Sequence, residues 1–222
     1  MAKSLTIYGR ILSPYVARTV LAAKAKGFKY ELVMPADGIK TPRFLKMNPL
    51  GKIPTLRDGK TIVYESTVIV AYLDAKTRAK ALVPASAKAA GQARLIGAVA
   101  AEYVQMPAIK LFRHKRGSTD PIDVPAMIAD LVKGLDVLEK ILAKGKFAAG
   151  TKFSIADVYA APALLFAVNA AELFNVGDIF KGRPKFAKYW ANIQKDKLAK
   201  PVLADMAAQM VDALSGKLAP LS

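Results

Sequence analysis

The sequence predicts an α/β domain of order βαβαββα over residues 1–80, joined to an all-α domain over residues 88–222. Three observations carry this. Short β-type runs alternate with helical spacing only in the first eighty residues. A hairpin signature, Asp58-Gly59 followed by Lys60 and set between Leu56 and Ile62, adds an antiparallel pair to an opening βαβ unit. From about Ala87 the strand signals vanish, and helical stretches divided by Pro, Gly and Asp take over.

Taken in order, Leu5–Tyr8 is the first strand, and Pro14–Lys26 follows as a helix with Val16, Val20, Leu21 and Ala23 near helical spacing. Gly27 ends that helix, because a left-handed stop suits glycine. Tyr30–Val33 is the second strand, Pro42–Met47 a short helix, and Asn48-Pro49-Leu50-Gly51 a turn. Thr55–Arg57 and Ile62–Tyr64 pair across the hairpin, and Glu65–Lys76 closes the domain with Val68, Ile69, Tyr72 and Leu73 along one helix face. Residues 79–87, with Pro84, form the linker.

Helices are expected over 88–116, 123–144, 154–168, 184–195 and 201–215. Pro107 falls inside the first, where it removes a backbone hydrogen bond and should kink the rod. Ser154-Ile155-Ala156-Asp157 is a capping box, with Phe153 and Val158 in staple positions.

Composition limits the chemistry. At 222 residues with 53% hydrophobic and 23% charged, the chain can bury real cores, and disorder is excluded. Its apolar runs are interrupted or shorter than the roughly 20 residues a bilayer crossing needs, so no membrane span is expected. The start, MAKSLTIYGR, lacks the apolar stretch of a signal peptide, which makes the cytosol the default compartment. With no cysteine there are no disulfides, no thiolate metal sites and no sulfur nucleophile of the protein's own. A thiol reaction here requires a borrowed thiol.

The net charge of +17 is the compositional oddity, and it is spread over both halves. Nucleic-acid binders concentrate such an excess in a stripe or tail. The nearest approach is Lys110, Arg113, His114, Lys115 and Arg116, a cluster at a helix end where cations complement the dipole. Nucleic acid is therefore not the expected partner, although the field can draw anionic small molecules. His114, the sole histidine, has no partner at metal-ligand spacing, and no metal site is expected.

Several residues read two ways in isolation. Ser13 before Pro14 is an ordinary N-cap with proline at the first helical position, and Glu65-Ser66 is a polar helix start. Lys40 and Lys52 alone are surface lysines, and Arg18 alone is an exposed helix residue. Tyr8 lies inside the strand and is read as packing.

Three segments in order change that balance: Tyr8-Gly9-Arg10-Ile11-Leu12-Ser13-Pro14-Tyr15-Val16-Ala17-Arg18, then Phe44 through Pro54 with Asn48-Pro49-Leu50-Gly51-Lys52-Ile53-Pro54, then Val63-Tyr64-Glu65-Ser66. Together they resemble the N-terminal, thioredoxin-like domain of cytosolic glutathione transferases, closest to the serine-type phi and tau classes. Phe153–Asp157 resembles the helix-capping signature of that family's all-helical domain, so the resemblance spans essentially the whole chain.

The resemblance implies a cis Pro54 that turns the backbone of Ile53 toward the cysteinyl part of glutathione, to pair like a short added strand. It implies that Glu65 and Ser66, opening a helix, meet the γ-glutamyl end, and that Lys40 and Lys52 face the glycyl carboxylate. Phi enzymes commonly carry Gln where Lys52 stands, and His just before the Lys40 position, where this chain has Ile39. Ser13, where strand meets helix, donates its hydroxyl to a thiolate and acts as donor rather than base. Arg18 matches an arginine that supports the site. Tyr15, Tyr103, Met106, Pro107, Lys110 and Phe166 are the candidate lining for an apolar electrophile, placed between the domains against the first long helix of the helical half. A homodimer is also implied.

The function expected is conjugation of the glutathione thiolate to an electrophilic, largely apolar small molecule. The same site would serve a glutathione-dependent isomerase, dehalogenase or etherase. Zeta-type isomerases show a denser Ser/Cys run than Leu12–Arg18, and an omega-type thioltransferase would place cysteine at Ser13. A binding protein of the same fold, with little turnover, and a polyanion-binding protein are the alternatives from other classes.

Overall fold

The computed structural model describes residues 5–219. Contacts divide the chain into two compact units: one runs through Leu82 and is completed by the chain from Ala204 onward, and the other is Val83–Leu203.

The first unit holds a four-stranded sheet of order β2-β1-β3-β4. Strand β1 (Leu5–Tyr8) runs parallel to β2 (Tyr30–Val33), with Leu5 opposite Tyr30. It runs antiparallel to β3 (Thr55–Asp58), with Ile7 opposite Leu56, and β3 pairs antiparallel with β4 (Thr61–Tyr64). The hairpin loop is Gly59-Lys60, one residue later than the Asp-Gly reading: Asp58 still pairs with Thr61, and Gly59 takes φ 61°, a conformation open to glycine at the first loop position.

Helix α1 (Pro14–Lys26) packs on β1 and beside α3 (Ser66–Ala75), which lies on β3 and β4. Small side chains permit that close packing, since Ala17, Ala22 and Ala23 are fully buried along with Val16 and Leu21. The short α2 (Pro42–Met47) is capped by Thr41, whose side chain accepts from the Phe44 amide. Lys26 ends α1 as a buried cation, donating to Asp74 Oδ1 at 2.8 Å, Asp74 O at 3.1 Å and Thr77 O at 2.7 Å. All three ammonium donors are thus satisfied, the condition under which a buried lysine is tolerated. Asp58, at the hairpin, accepts from the Tyr72 hydroxyl at 2.6 Å and from Lys76, which ties β3 to α3.

In the second unit α4 (Ala87–Val99) runs into a π-helical segment, Ala100–Gln105, and then α5 (Met106–Lys115). Where a kink was expected, the segment before Pro107 is π-helical: Pro107 has no N–H to give the Tyr103 carbonyl four residues back, and widening the preceding turn relieves the ring clash. The Tyr103 carbonyl faces Gly134 of α6 (Val124–Ile141), where a Cβ would collide with it. Helix α7 (Ile155–Leu173), longer than predicted and continuous through Pro162, contacts α4, the π segment and α5. Asp157 closes the expected box by accepting from Ser154 N at 2.8 Å and Ser154 Oγ at 3.2 Å, and it also takes the Ala148 amide at 2.9 Å. The carboxylate of Glu139 caps α8 (Pro184–Ile193) by accepting from Lys185 N and Phe186 N. Helix α9 (Ala199–Leu214) ends the regular structure.

By length and composition the rod Ala87–Lys115 and the helix Ile155–Leu173 are apolar enough to cross a bilayer, contrary to the expectation from interrupted runs. Most of each is buried inside the fold, as a core helix requires.

Candidate active site

Glycine spacing assembles the candidate site on the first unit. At Gly9, just after β1, an added Cβ would stand 2.5 Å from a Val16 methyl carbon, so only glycine lets the turn pack this close to α1, with Ile53 Cβ at an ordinary contact distance of 3.5 Å. Gly51, with φ 56°, packs where a Cβ would lie 3.0 Å from Ile39 O and from Lys40 Cδ. That contact lays the stem of Lys40 beside the 51–54 segment. Lys40 and Lys52 are both exposed.

Asn48 shapes the same segment from beneath. Almost fully buried, its Nδ2 donates to Lys52 O at 2.9 Å and to Thr55 Oγ1 at 2.8 Å, while its Oδ1 accepts from Leu50 N at 3.0 Å. The Ile53–Pro54 bond is cis, with Ile53 half-buried and Pro54 buried. Sequence reading treated Asn48 only as part of a turn. Asn before Pro does mark a turn, but nothing local shows that the amide reaches seven residues along the chain.

Ser13 is the N-cap of α1 with extended backbone, φ −69° and ψ 122°, and its hydroxyl does not cap the helix. Its amide donates to Arg10 O at 3.0 Å and its carbonyl accepts from Ala17 N at 2.9 Å. The half-buried hydroxyl is therefore held at a helix N-terminus without being spent there. Leu12 donates its amide to Gln209 Oε1 at 3.0 Å, a partner on α9 that sequence reading did not anticipate. Arg18 is buried, at 2% exposure, rather than an exposed helix residue, and its guanidinium lies 5.0 Å from the Tyr15 ring centroid. Tyr8 packs edge-on against Phe44 and under Arg57, in keeping with the packing reading.

Glu65 sits at φ 67° and ψ 115°, a conformation L residues rarely adopt, immediately before buried Ser66 at the start of α3. The Glu65 side chain does not cap α3, so it leaves the first amides of the helix to other partners. Strain of this kind persists where the surroundings over-determine it.

The electrophile candidates separate. Tyr103, Met106, Pro107 and Lys110 line a groove of about 580 Å³ in the helical unit, with Met127 and Val137 of α6 opposite. Phe166 is buried in the helical core, edge-on to Phe112 with centroids 5.2 Å apart, and offers no surface to a ligand. Tyr15 is half-buried on α1 of the first unit. His114 lies by the Phe174 ring, and among the described residues no cluster of three metal-ligating side chains occurs.

A thioredoxin-like sheet with a cis proline, a serine at the first helix start and a strained acidic residue opening the third helix, followed by an all-helical unit, defines a class of two-unit α/β-plus-α proteins. Residues 7–81 match the glutathione S-transferase N-terminal domain, and residues 112–191 match the glutathione S-transferase C-terminal domain. Glutathione S-transferase 3 of Zea mays is 33% identical over 200 residues, covering 85% of this chain and 88% of the relative. A zeta class glutathione S-transferase of Euphorbia esula is 33% identical over 181 residues, covering 78% of each. A glutathione S-transferase from Methylobacillus flagellatus KT, solved with GSH bound, superposes with a TM-score of 0.74 at 26% identity, covering 90% of this chain and 98% of that one. The chain belongs to the glutathione S-transferase family and is a transferase enzyme.

Proposed function

We propose that the first unit binds glutathione and that the enzyme conjugates its thiolate to an apolar electrophile. The observation that carries this reading is the Ser13 hydroxyl, positioned at the N-terminus of α1 yet not engaged in capping it. A thiol with an unperturbed pKa of roughly 8.5 is only a few per cent ionised at neutral pH, and each unit of depression is about 1.4 kcal/mol of preference for the anion. A hydroxyl donor and the dipole of α1 both favour the charged form. Ser13 keeps its proton throughout, and the proton of the thiol leaves to solvent. The thiolate attacks the electrophilic carbon, and either the adduct takes a proton from water or a leaving group departs.

The rest of the site is assigned to binding. The main chain of Ile53, next to cis Pro54, would pair with the cysteinyl unit, as in β-strand addition. Ser66 and the first amides of α3 would take the γ-glutamyl carboxylate while Glu65 meets the ammonium. Lys40 and Lys52 would hold the glycyl carboxylate. Arg18, buried beside Tyr15, supports the α1 end by charge. Tyr15, together with Tyr103, Met106, Pro107 and Lys110, remains the proposed electrophile lining. Exposed Val68 and Leu95 are apolar surface of the kind a homodimer would cover, and light scattering at two concentrations reads that assembly.

The test is conjugation of glutathione to chlorodinitrobenzene by wild-type enzyme and by Ser13→Ala. The variant should keep its fold and glutathione affinity and lose turnover, because the missing bond matters most to the anion. The zeta-class relative favours a second reading, a glutathione-dependent isomerase. Mass balance separates the two: an isomerase leaves glutathione unconsumed, whereas a conjugating enzyme consumes one per turnover.

A further inference from the structure

Two long-range hydrogen bonds join the turn that carries Ser13 to the C-terminal part of the chain. Leu12 N donates to Gln209 Oε1 at 3.0 Å, and Arg10 Nη1 donates to Ala219 O at 2.7 Å. Both partners belong to the stretch beyond Ala204 that completes the first unit. Met206 and Met210, on either side of Gln209 in α9, are buried, and Asp205 is near enough to Tyr30 that its charge adds to burial in raising the tyrosine pKa. Helix α9 is therefore anchored before Gln209 reaches the turn.

Besides the Ser13 carbonyl, which accepts from Ala17 N, the backbone–backbone bonds of residues 10–14 are local. Ser13 N is held by Arg10 O, inside the same turn, and Pro14 has no amide to offer. Leu12 is 8% exposed, so without Gln209 its N–H must either go unpaired or rotate to find water. That N–H lies in the Ile11–Leu12 peptide, one unit before the Leu12–Ser13 link, so its rotation changes the backbone dihedral at Leu12 and through it the direction in which Ser13 is presented.

Building on the reading of Ser13 as the thiolate donor, we propose that Gln209 is a positioning residue for catalysis, fixing the Leu12 peptide so that the Ser13 hydroxyl points at the sulfur. Gln209 touches no reacting atom. It acts through one backbone amide, from a helix far along the sequence.

The experiment titrates the thiol of bound glutathione by its ultraviolet absorbance and measures kcat and KM in Gln209→Met, Gln209→Glu, Ser13→Ala and Ser13→Ala/Gln209→Met. Methionine keeps the length of the side chain and removes the acceptor, whereas glutamate keeps an acceptor. Gln209→Met should raise the thiol titration midpoint by about one unit and lower kcat about tenfold, with glutathione KM changed much less. Gln209→Glu should recover part of that loss, the added negative charge preventing full recovery. In the Ser13→Ala background the Gln209→Met change should have little further effect, because its route to the sulfur is already gone. Additive losses in the double variant would place the effect of Gln209 elsewhere and overturn the proposal. A normal midpoint in Gln209→Met with a raised one in Ser13→Ala would overturn it while leaving Ser13 in its role. An unshifted midpoint in Ser13→Ala would instead remove the reading beneath it. If Gln209→Met does not fold, Gln209→Glu decides: a loss as deep as that of Ser13→Ala, or no loss at all, rejects the proposal, and a partial loss supports it.

Discussion

Asn48 donates from Nδ2 to the hydroxyl oxygen of Thr55 at 2.8 Å, closing from within the loop that presents Ile53 and Pro54. The same amide group holds Lys52 O and Leu50 N, so one buried side chain sets the backbone on which glutathione is proposed to pair. Asn48→Ala removes three hydrogen bonds and leaves Leu50 N short of a partner, while Lys52 O keeps the Thr55 hydroxyl at 3.2 Å. With a net value near 1 kcal/mol for each bond, the variant should lose about 2–4 kcal/mol of stability in urea denaturation. Its glutathione KM should rise more than its kcat falls. An unchanged KM would detach the loop from binding.

Glu65 combines strain with charge, and two variants separate them. Glu65→Gly relieves a backbone conformation that costs about 1–3 kcal/mol, partly offset by glycine's greater freedom when unfolded. Its thermal midpoint should therefore hold or rise while calorimetry shows weaker glutathione binding. Glu65→Gln keeps the strain and the shape, and it should lose affinity through charge alone. A Glu65→Gly protein that is markedly less stable would mean that the φ of 67° carries no strain.

Gly134→Ala tests the close approach of α6 to the π-helical segment. Helix propensity alone predicts a gain of about 1 kcal/mol from this change. The new methyl would meet the Tyr103 carbonyl, backbone that cannot swing aside as a side chain can, so the expected net result is a loss of about 1–3 kcal/mol. Chemical denaturation gives the sign directly, and a stabilised variant would contradict the packing described.

Asp157 supplies a pH dependence. Burial raises its carboxyl from the ordinary 3.8 to about 6, against the opposing pull of hydrogen bonds from the Ala148 and Ser154 amides and the Ser154 hydroxyl. The unfolded chain ionises first as pH rises, so stability is highest below the ordinary value, falls between about 3.8 and about 6, and then levels off. A shift of this size amounts to about 3 kcal/mol. Asp157→Asn has no such titration. The stability difference, wild type minus variant, should therefore shrink by up to about 3 kcal/mol from pH 4 to pH 7, although asparagine lowers the baseline by losing acceptor capacity. A pH-independent difference would show that the hydrogen bonds to Asp157 fully offset burial.

Local pattern made most of the first unit legible. Leu5–Tyr8, Pro14–Lys26, Tyr30–Val33 and Pro42–Met47 form where strand runs, Pro at the first helical position and Gly27 placed them, because each signal is confined to a few neighbouring residues. The π-helical form of the rod before Pro107 was not legible. Proline announces a lost hydrogen bond but not how the chain absorbs it, and here Gly134, some thirty residues on, makes room for the displaced carbonyl. The candidate site divides in the same way. Ser13, Pro54 and Glu65-Ser66 were visible as helix starts and a turn proline, whereas Asn48 bonds within its own loop in a way that no turn signal announces, and Gln209 reaches Leu12 from 197 residues away and leaves no spacing signature. Phe166 was misjudged by type: an aromatic on a helix face suits a pocket wall and a core equally, and only the Phe112 contact shows it to be core.

The central claim is that this cysteine-free chain ionises a guest sulfur through Ser13. Its most direct test is the pH titration of glutathione thiolate absorbance in saturated complexes of wild type and Ser13→Ala. The account predicts a midpoint in the wild-type complex at least one unit below that of free glutathione, with most of that depression lost in the variant. Equal midpoints in the two complexes, or a wild-type midpoint no lower than that of the free tripeptide, would contradict it.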